Sequence, residues 1–425
     1  MATARLAVGA RAPYATGTAS VAVIAPQAGS GYPGALARRG RDAIAVTLGR
    51  GARPAVYRDV AADEEYVDVI GYDGDLRRTV KKLKTGGVEA VIAASPAGVE
   101  LAERIAWQLR LPGSGIPGST LLRTDWGVQS GALAQAGITV PPGVRTARLA
   151  EALAWVASRT LSVYRLTPAA LGVPVRSVNC RTLQRIAAVW PQIQEAAYRH
   201  SGNASLVLEE RAQGRQYVVD SVTQLGPDGP QHAVTGIWTL LHSSTGLLDR
   251  TDLLHRHGLL ARRLSLYVSR VLDTLGVTSG PTSCHLAFDP ELGPVLLSAS
   301  TVTHRSHADE AVWAITDCDP IDATLDGPVF AHRSSHIGPR IHVTRTYVAT
   351  QRRYGSRPAM LQELVELPTT ACIDRDPNSF ISQNAALPPG GTWEVVLAHA
   401  DSDAVEKDYG LIRDLTADLH RGWHH

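Results

Sequence analysis

Short, mostly apolar, β-branched runs at residues 21–26, 43–48, 66–72 and 90–94 punctuate the start of the chain. Strands buried on both faces read this way, and the helical stretches at 35–39 and 96–109 complete the β–α–β order of a parallel sheet. The glycine-rich segment 28–34 is read as not giving G-x-G-x-x-G, so it is taken as a tight turn between strand and helix with no dinucleotide fingerprint. Helical spacing predicts helices over 125–137, 149–157, 181–200 and 259–275, and a last one from Asp408. Strands are expected at 161–166, 205–210, 216–224, 232–240, 284–288, 295–300, 340–350 and 392–399.

Composition narrows the class. With 44% hydrophobic and 19% charged residues in 425, the chain suits a globular protein with a sizeable core. Its 42 basic and 40 acidic residues leave a net charge of +2, no footprint for nucleic acid or an anionic membrane. No run approaches the ~18 apolar residues that span a bilayer, and the first residues lack the apolar core of a secretory signal. Cys180, Cys284, Cys318 and Cys372 are scattered without CxxC, as expected of reduced thiols in a cytoplasmic protein. Lysine stands only at Lys81, Lys82, Lys84 and Lys407, so the chain is poor in the compact cation that commonly meets phosphate. That bias, with abundant Ala, Gly and Pro, points to a GC-rich, actinobacterial genome. The closing His424–His425 reads as the remnant of a tag.

Five segments carry a family likeness when taken in order. They are 96–105 with Arg110–Gly113, Arg123-Thr124-Asp125-Trp126 through Ile138, Val163–Leu166, Leu206–Tyr217 (LVLEERAQGRQY) and Gly280–Ser300. Over roughly 20–310 the set resembles the ATP-grasp superfamily, particularly its amino-acid and dipeptide ligases, with a weaker similarity at 408–415. The resemblance implies an α/β ATP-grasp fold in three parts: a Rossmann-like domain over 1–120, a two-part ATP-grasp region over 121–310, and a small α+β portion over 311–425. It also implies a carboxylate joined to an amine through an acyl phosphate, with ATP held between two domains.

Carried over residue by residue, the likeness puts Trp126 and Arg165 where the family has lysines, and Gln216 where it has the ribose-binding glutamate. Glu209 and Glu210 keep the adenine-linker acids. Leu286 and Ser298 stand for the acidic metal ligands, Ser300 for the asparagine, and Val302 for the arginine after it, with Arg305 just downstream. Alternation sets Cys284, Leu286 and Phe288 on one strand face and Ser298 and Ser300 on one face of the next, so the expected cleft wall is thiol, alkyl, phenyl and hydroxyl. Mg²⁺ asks for about six oxygen ligands, usually with one or two carboxylates, and phosphoryl transfer rests on placed charge. The expected metal is therefore none, and ATP and Mg²⁺ are not expected as cofactors.

Other constellations are read plainly. The histidines His285, His304, His307, His332 and His336 are weighed as a metal site and assigned to packing or loops, with His285 facing away from Leu286. Cys284 is read as a buried strand thiol rather than a nucleophile, and Arg176 as a surface residue. Arg165, on a core strand, needs a partner, and a ligand is one candidate. No catalytic residue is assigned. The leading expectation is a degenerate ATP-grasp homologue that binds a small metabolite, such as an amino-acid derivative, or a partner protein, repurposed within amino-acid or specialised metabolism. Two alternatives stay open: an active carboxylate–amine ligase with unusual contacts, and a non-catalytic subunit of an intact ATP-grasp enzyme. A homodimer is compatible with each.

Overall fold

The computed structural model describes residues 19–26, 30–48, 66–111, 118–159, 163–173, 175–226, 228–255, 258–326, 341–349, 357–375, 379–388 and 391–421. Expectations resting on Ala28–Gly29, Pro112–Gly113, 161–162, His332, His336, Arg340, Thr350 and His424–His425 lie outside the described residues. The chain divides into two compact units, Met1–Pro117 and Gly118–His425.

In the first unit, strands β1 (Ser20–Ile24), β2 (Asp42–Leu48), β3 (Asp68–Tyr72) and β4 (Val88–Ala93) form a sheet of order β3-β2-β1-β4, parallel throughout. β1 is buried at every position, which is why its sequence is apolar without alternation. Helices α1 (Tyr32–Ala37), α2 (Leu76–Thr85) and α3 (Val99–Leu109) accompany the sheet, and Leu83 and Ile105 close a core with Ile24 and Ile44. The turn before α1 does spell G-x-G-x-x-G over 29–34, but Pro33 in its first turn removes an N–H that a phosphate would use. Gly98 lets the segment before α3 press on β1: a Cβ there would stand 2.6 Å from the Ile24 carbonyl oxygen.

The second unit holds two antiparallel sheets. In the smaller, β5 (Gly143–Thr146), β6 (Tyr164–Pro168), β7 (Val178–Cys180) and β8 (Leu206–Glu210) run in the order β5-β8-β6-β7. Helices α4 (Leu121–Thr124) and α5 (Trp126–Gln135) precede it, and α6 (Leu149–Ala157) and α7 (Leu183–Ser201) join Val156, Ile186 and Trp190 to Tyr164 and Leu208 of the sheet in one core.

The larger sheet has eight strands in the order β13-β12-β9-β10-β11-β14-β16-β15. Its members are β9 (Arg215–Gly226), β10 (Gly229–His242), β11 (Leu248–Leu253), β12 (Gly280–Asp289), β13 (Gly293–Ser300), β14 (His342–Ala349), β15 (Thr370–Asp374) and β16 (Thr392–His399). On one face α5 and α8 (Leu259–Thr274) cover Tyr217, Val219, Cys284 and Leu286. On the other, α9 (His307–Thr316) covers Val218, Trp238 and Val396, followed in sequence by α10 (Pro320–Asp326). Helices α11 (Arg357–Glu366), α12 (Phe380–Asn384) and α13 (Ser402–Arg421) complete the unit, with Phe380 and Ile381 of α12 joining the α9 core. Among the described residues no helix is long and apolar enough to cross a membrane.

Candidate functional site

Trp126, Arg165 and Glu209 meet where the small sheet faces the start of α5. Asp125 caps α5, accepting from the Val128 N–H, and its carboxylate takes a two-pronged bond from Arg145. The Trp126 N–H donates to the Ala169 carbonyl at 2.7 Å, so the indole enters the interior at a fixed angle. Gly127 is needed beside it, since a Cβ would lie 2.5 Å from Arg145 Cδ. The indole Nε1–H donates to Glu209 Oε2 at 2.8 Å, and Arg165, directly opposite Glu209 in the β6–β8 register, donates from Nε to Oε1 at 2.6 Å. Arg165 Nη2 reaches on to the Leu297 carbonyl at 2.7 Å. Glu209 is 1% exposed, and burial pushes its carboxyl above the usual range against the pull of Arg165 and Trp126. Both carboxylate oxygens thus have donors from within the chain. The partner that Arg165 was expected to need is Glu209. Glu210, its neighbour, pairs at the surface with Arg159 at 2.8 Å.

The expected cleft wall requires correction. Cys284 and Leu286 are fully buried in the core under α8, and Phe288 packs against the same cluster. Ser300 stands opposite Ser283, and Ser298 opposite His285, so the serines share the other face of the sheet. Between His285 and Leu286 the register shifts, since Leu286 pairs with Leu296 and leaves Leu297 as an extra residue. The bulge carries the carbonyl that Arg165 grips. Burial pushes the Cys284 thiol up to about 12, which fits the reading of an inert strand cysteine.

That second face is polar and internally bonded. His285 Nε2–H donates to Gln216 Oε1 at 3.1 Å, while burial pulls the imidazole down to about 3 and leaves Nδ1 without a partner. Ser298 Oγ donates to Asn384 Oδ1 of α12 at 3.2 Å, and Ser300 shares a 3.0 Å hydrogen bond with His304. His304 in turn lies 5.2 Å, ring to ring, from Phe380, and burial pulls it down to about 4. Arg305 is bonded to Glu310 at 2.7 Å, Val302 is buried, and His307 is exposed, so the two histidines three apart do not converge. Arg176 and Arg215 are exposed. Among the described residues no three His, Cys, Asp or Glu could share a metal ion. Two hydroxyls and a neutral imidazole do not fit Mg²⁺ around a triphosphate.

An ionic cluster that the sequence reading missed lies further along the same face. Arg345 on β14, 2% exposed, donates from Nη1 to Asp309 at 2.8 Å and to Glu394 at 2.9 Å, and its guanidinium lies 4.3 Å from the Trp238 ring centre. Trp238 Nε1–H donates to Asp220 Oδ2 at 3.1 Å, and Ser283 Oγ donates to Oδ1 at 2.6 Å. Burial pushes Asp220 up to about 6 and Glu394 up to about 7. The overlooked signal was period two: Val343, Arg345 and Tyr347 share one buried face of β14, and a cation there demands buried acids.

No protein-family model matches the chain, and no curated protein matches it by sequence. Solved structures do. The L-amino acid ligase from Bacillus licheniformis superposes with a TM-score of 0.65 at 13% identity, covering 93% of this chain and 97% of the other. The carboxyaminoimidazole ribonucleotide synthase from Aspergillus clavatus, complexed with ATP, gives 0.65 at 14% identity over 94% and 99%. Biotin carboxylase from Campylobacter jejuni gives 0.58 at 13% identity over 91% and 89%. At such identities the likeness establishes a shared architecture, the ATP-grasp fold.

Proposed function

We propose that this ATP-grasp-fold chain is a non-ligating member, whose nucleotide-holding positions have become internal contacts and which acts by binding a small metabolite. The observation that carries the reading is the saturation of Glu209 by Trp126 and Arg165. Phosphoryl transfer needs preorganised cations and metal-bound oxygens at the transferring group. Here an indole replaces one cation, a carboxylate neutralises the other, and Ser298 and Ser300 are bonded to Asn384 and His304. The fold shared with an L-amino acid ligase supports a ligand of amino-acid size. Calorimetric titration with Mg–ATP is expected to give no heat up to about millimolar nucleotide, a binding energy weaker than ~4 kcal/mol. Micromolar affinity, or ADP release with mixed amino acids, would overturn the reading.

A further inference from the structure

A cavity of ≈ 60 Å³ lies beside the ionic cluster, with Asp220, His304, Asp309, Trp313, Arg345 and Phe380 on its wall. A water needs about 10–15 Å³ of such space, so the cavity takes a polar molecule of roughly four or five heavy atoms.

Its charges are unevenly matched. The Arg345 guanidinium is shared between Asp309 and Glu394, whereas the hydrogen-bond donors to Asp220 are the neutral Ser283 and Trp238. A carboxylate so placed gains most from a cation brought in with a ligand. Its rise to about 6, caused first by burial, agrees with that lack. Arg345 offers a complementary lack: its Nε–H is buried and has no acceptor in the protein. Such a donor carries a desolvation cost of about 1–3 kcal/mol until an oxygen meets it. His304, held neutral by burial, adds no competing charge. Trp313 and Phe380 also line the cavity, and aromatic rings attract an organic cation.

We propose that this cavity binds a short organic ammonium carrying an oxygen acceptor, an amino alcohol in its simplest form, with the ammonium on Asp220 and the oxygen on the Arg345 Nε–H. A nitrogen held this way keeps its proton and has no lone pair for attack, so the site retains an amine without activating it. The inference rests on the non-ligating reading and names the ligand class for it.

Ethanolamine, ethylene glycol and glycolate are close in size and differ in charge. Titrated into the full chain and followed by thermal shift and calorimetry, ethanolamine alone is expected to saturate and raise the Tm. Asp220→Asn should weaken ethanolamine binding at least ~tenfold. Equal responses to the three probes, no saturable response to ethanolamine, or unchanged affinity in Asp220→Asn would overturn the proposal. The three-probe comparison on the unmutated chain stands even if that variant fails to fold. Mg–ATP titrated in parallel separates the two claims: failure of ethanolamine with no nucleotide binding removes only the ligand assignment, and nucleotide binding removes the non-ligating reading itself.

Discussion

Glu209 shows how one side chain decides the character of a site. A buried carboxylate bonded to an arginine and an indole is costly to disturb from one side, because removing a partner leaves an uncompensated charge. Glu209→Ala is therefore expected to cost about 3–5 kcal/mol in urea unfolding by stranding Arg165, whereas Trp126→Phe, which loses one hydrogen bond and some volume, should cost about 1–3 kcal/mol. Equal losses would show that the ion pair anchors the site no more strongly than the indole. His304 gives a pH test. Its folded pKa, about 4, lies below the usual ~6.5, so its contribution is present above 6.5 and lost as pH falls through 4. Asp220 and Glu394, raised to about 6 and about 7, act oppositely and lose stability as pH rises from ~4 through those values. The net curve is thus flattened, and His304→Gln should expose the opposing part: its stability relative to wild type should rise by about 2 kcal/mol between pH 7 and 4.5. A pH-independent difference would refute the assignment.

At the scale of elements, the apolar parallel strands and long amphipathic helices were legible because period and composition agree there. Arg165, Glu209 and Trp126 were each singled out by their place along the family pattern, whereas their mutual contact emerges only in the fold. What failed was a strand face. Alternation held within each strand, but across the pair it assumes an unbroken ladder, and the extra residue at Leu297 turns Ser298 and Ser300 to the side of His285, opposite Cys284 and Leu286. No single-sequence signal marks such a bulge among Val295, Leu296 and Leu297. The short β15, α10 and α12 were also missed, being too brief to show a period, and so were the ten-residue α2, α9 and α11. Helix α12 nonetheless holds the polar face: Phe380 is 7% exposed against His304, and Asn384 accepts from Ser298. Phe380→Ala should lower unfolding free energy by about 3 kcal/mol, read by chemical denaturation. A loss below ~1 kcal/mol would mean α12 is only loosely seated.

For the whole molecule, Gly118–His425 has its own cores on both faces of the eight-stranded sheet, which draws strands from before and after residue 310. A chain of residues 118–425 should unfold in one cooperative transition with near-coincident circular dichroism and fluorescence midpoints. Two resolved transitions would mean that the strands after β13 form a separate folding body.

The contact between Trp126, Arg165 and Glu209 also bears on how freely these positions can change. A lysine at 126 would place a second cation beside an acid already matched by Arg165, and replacing Arg165 alone would strip that acid of its counter-ion. Each single replacement passes through a poorer protein. The lock between two small-sheet strands and a helix start therefore works as a ratchet, and its three side chains should be exchanged as a set or kept.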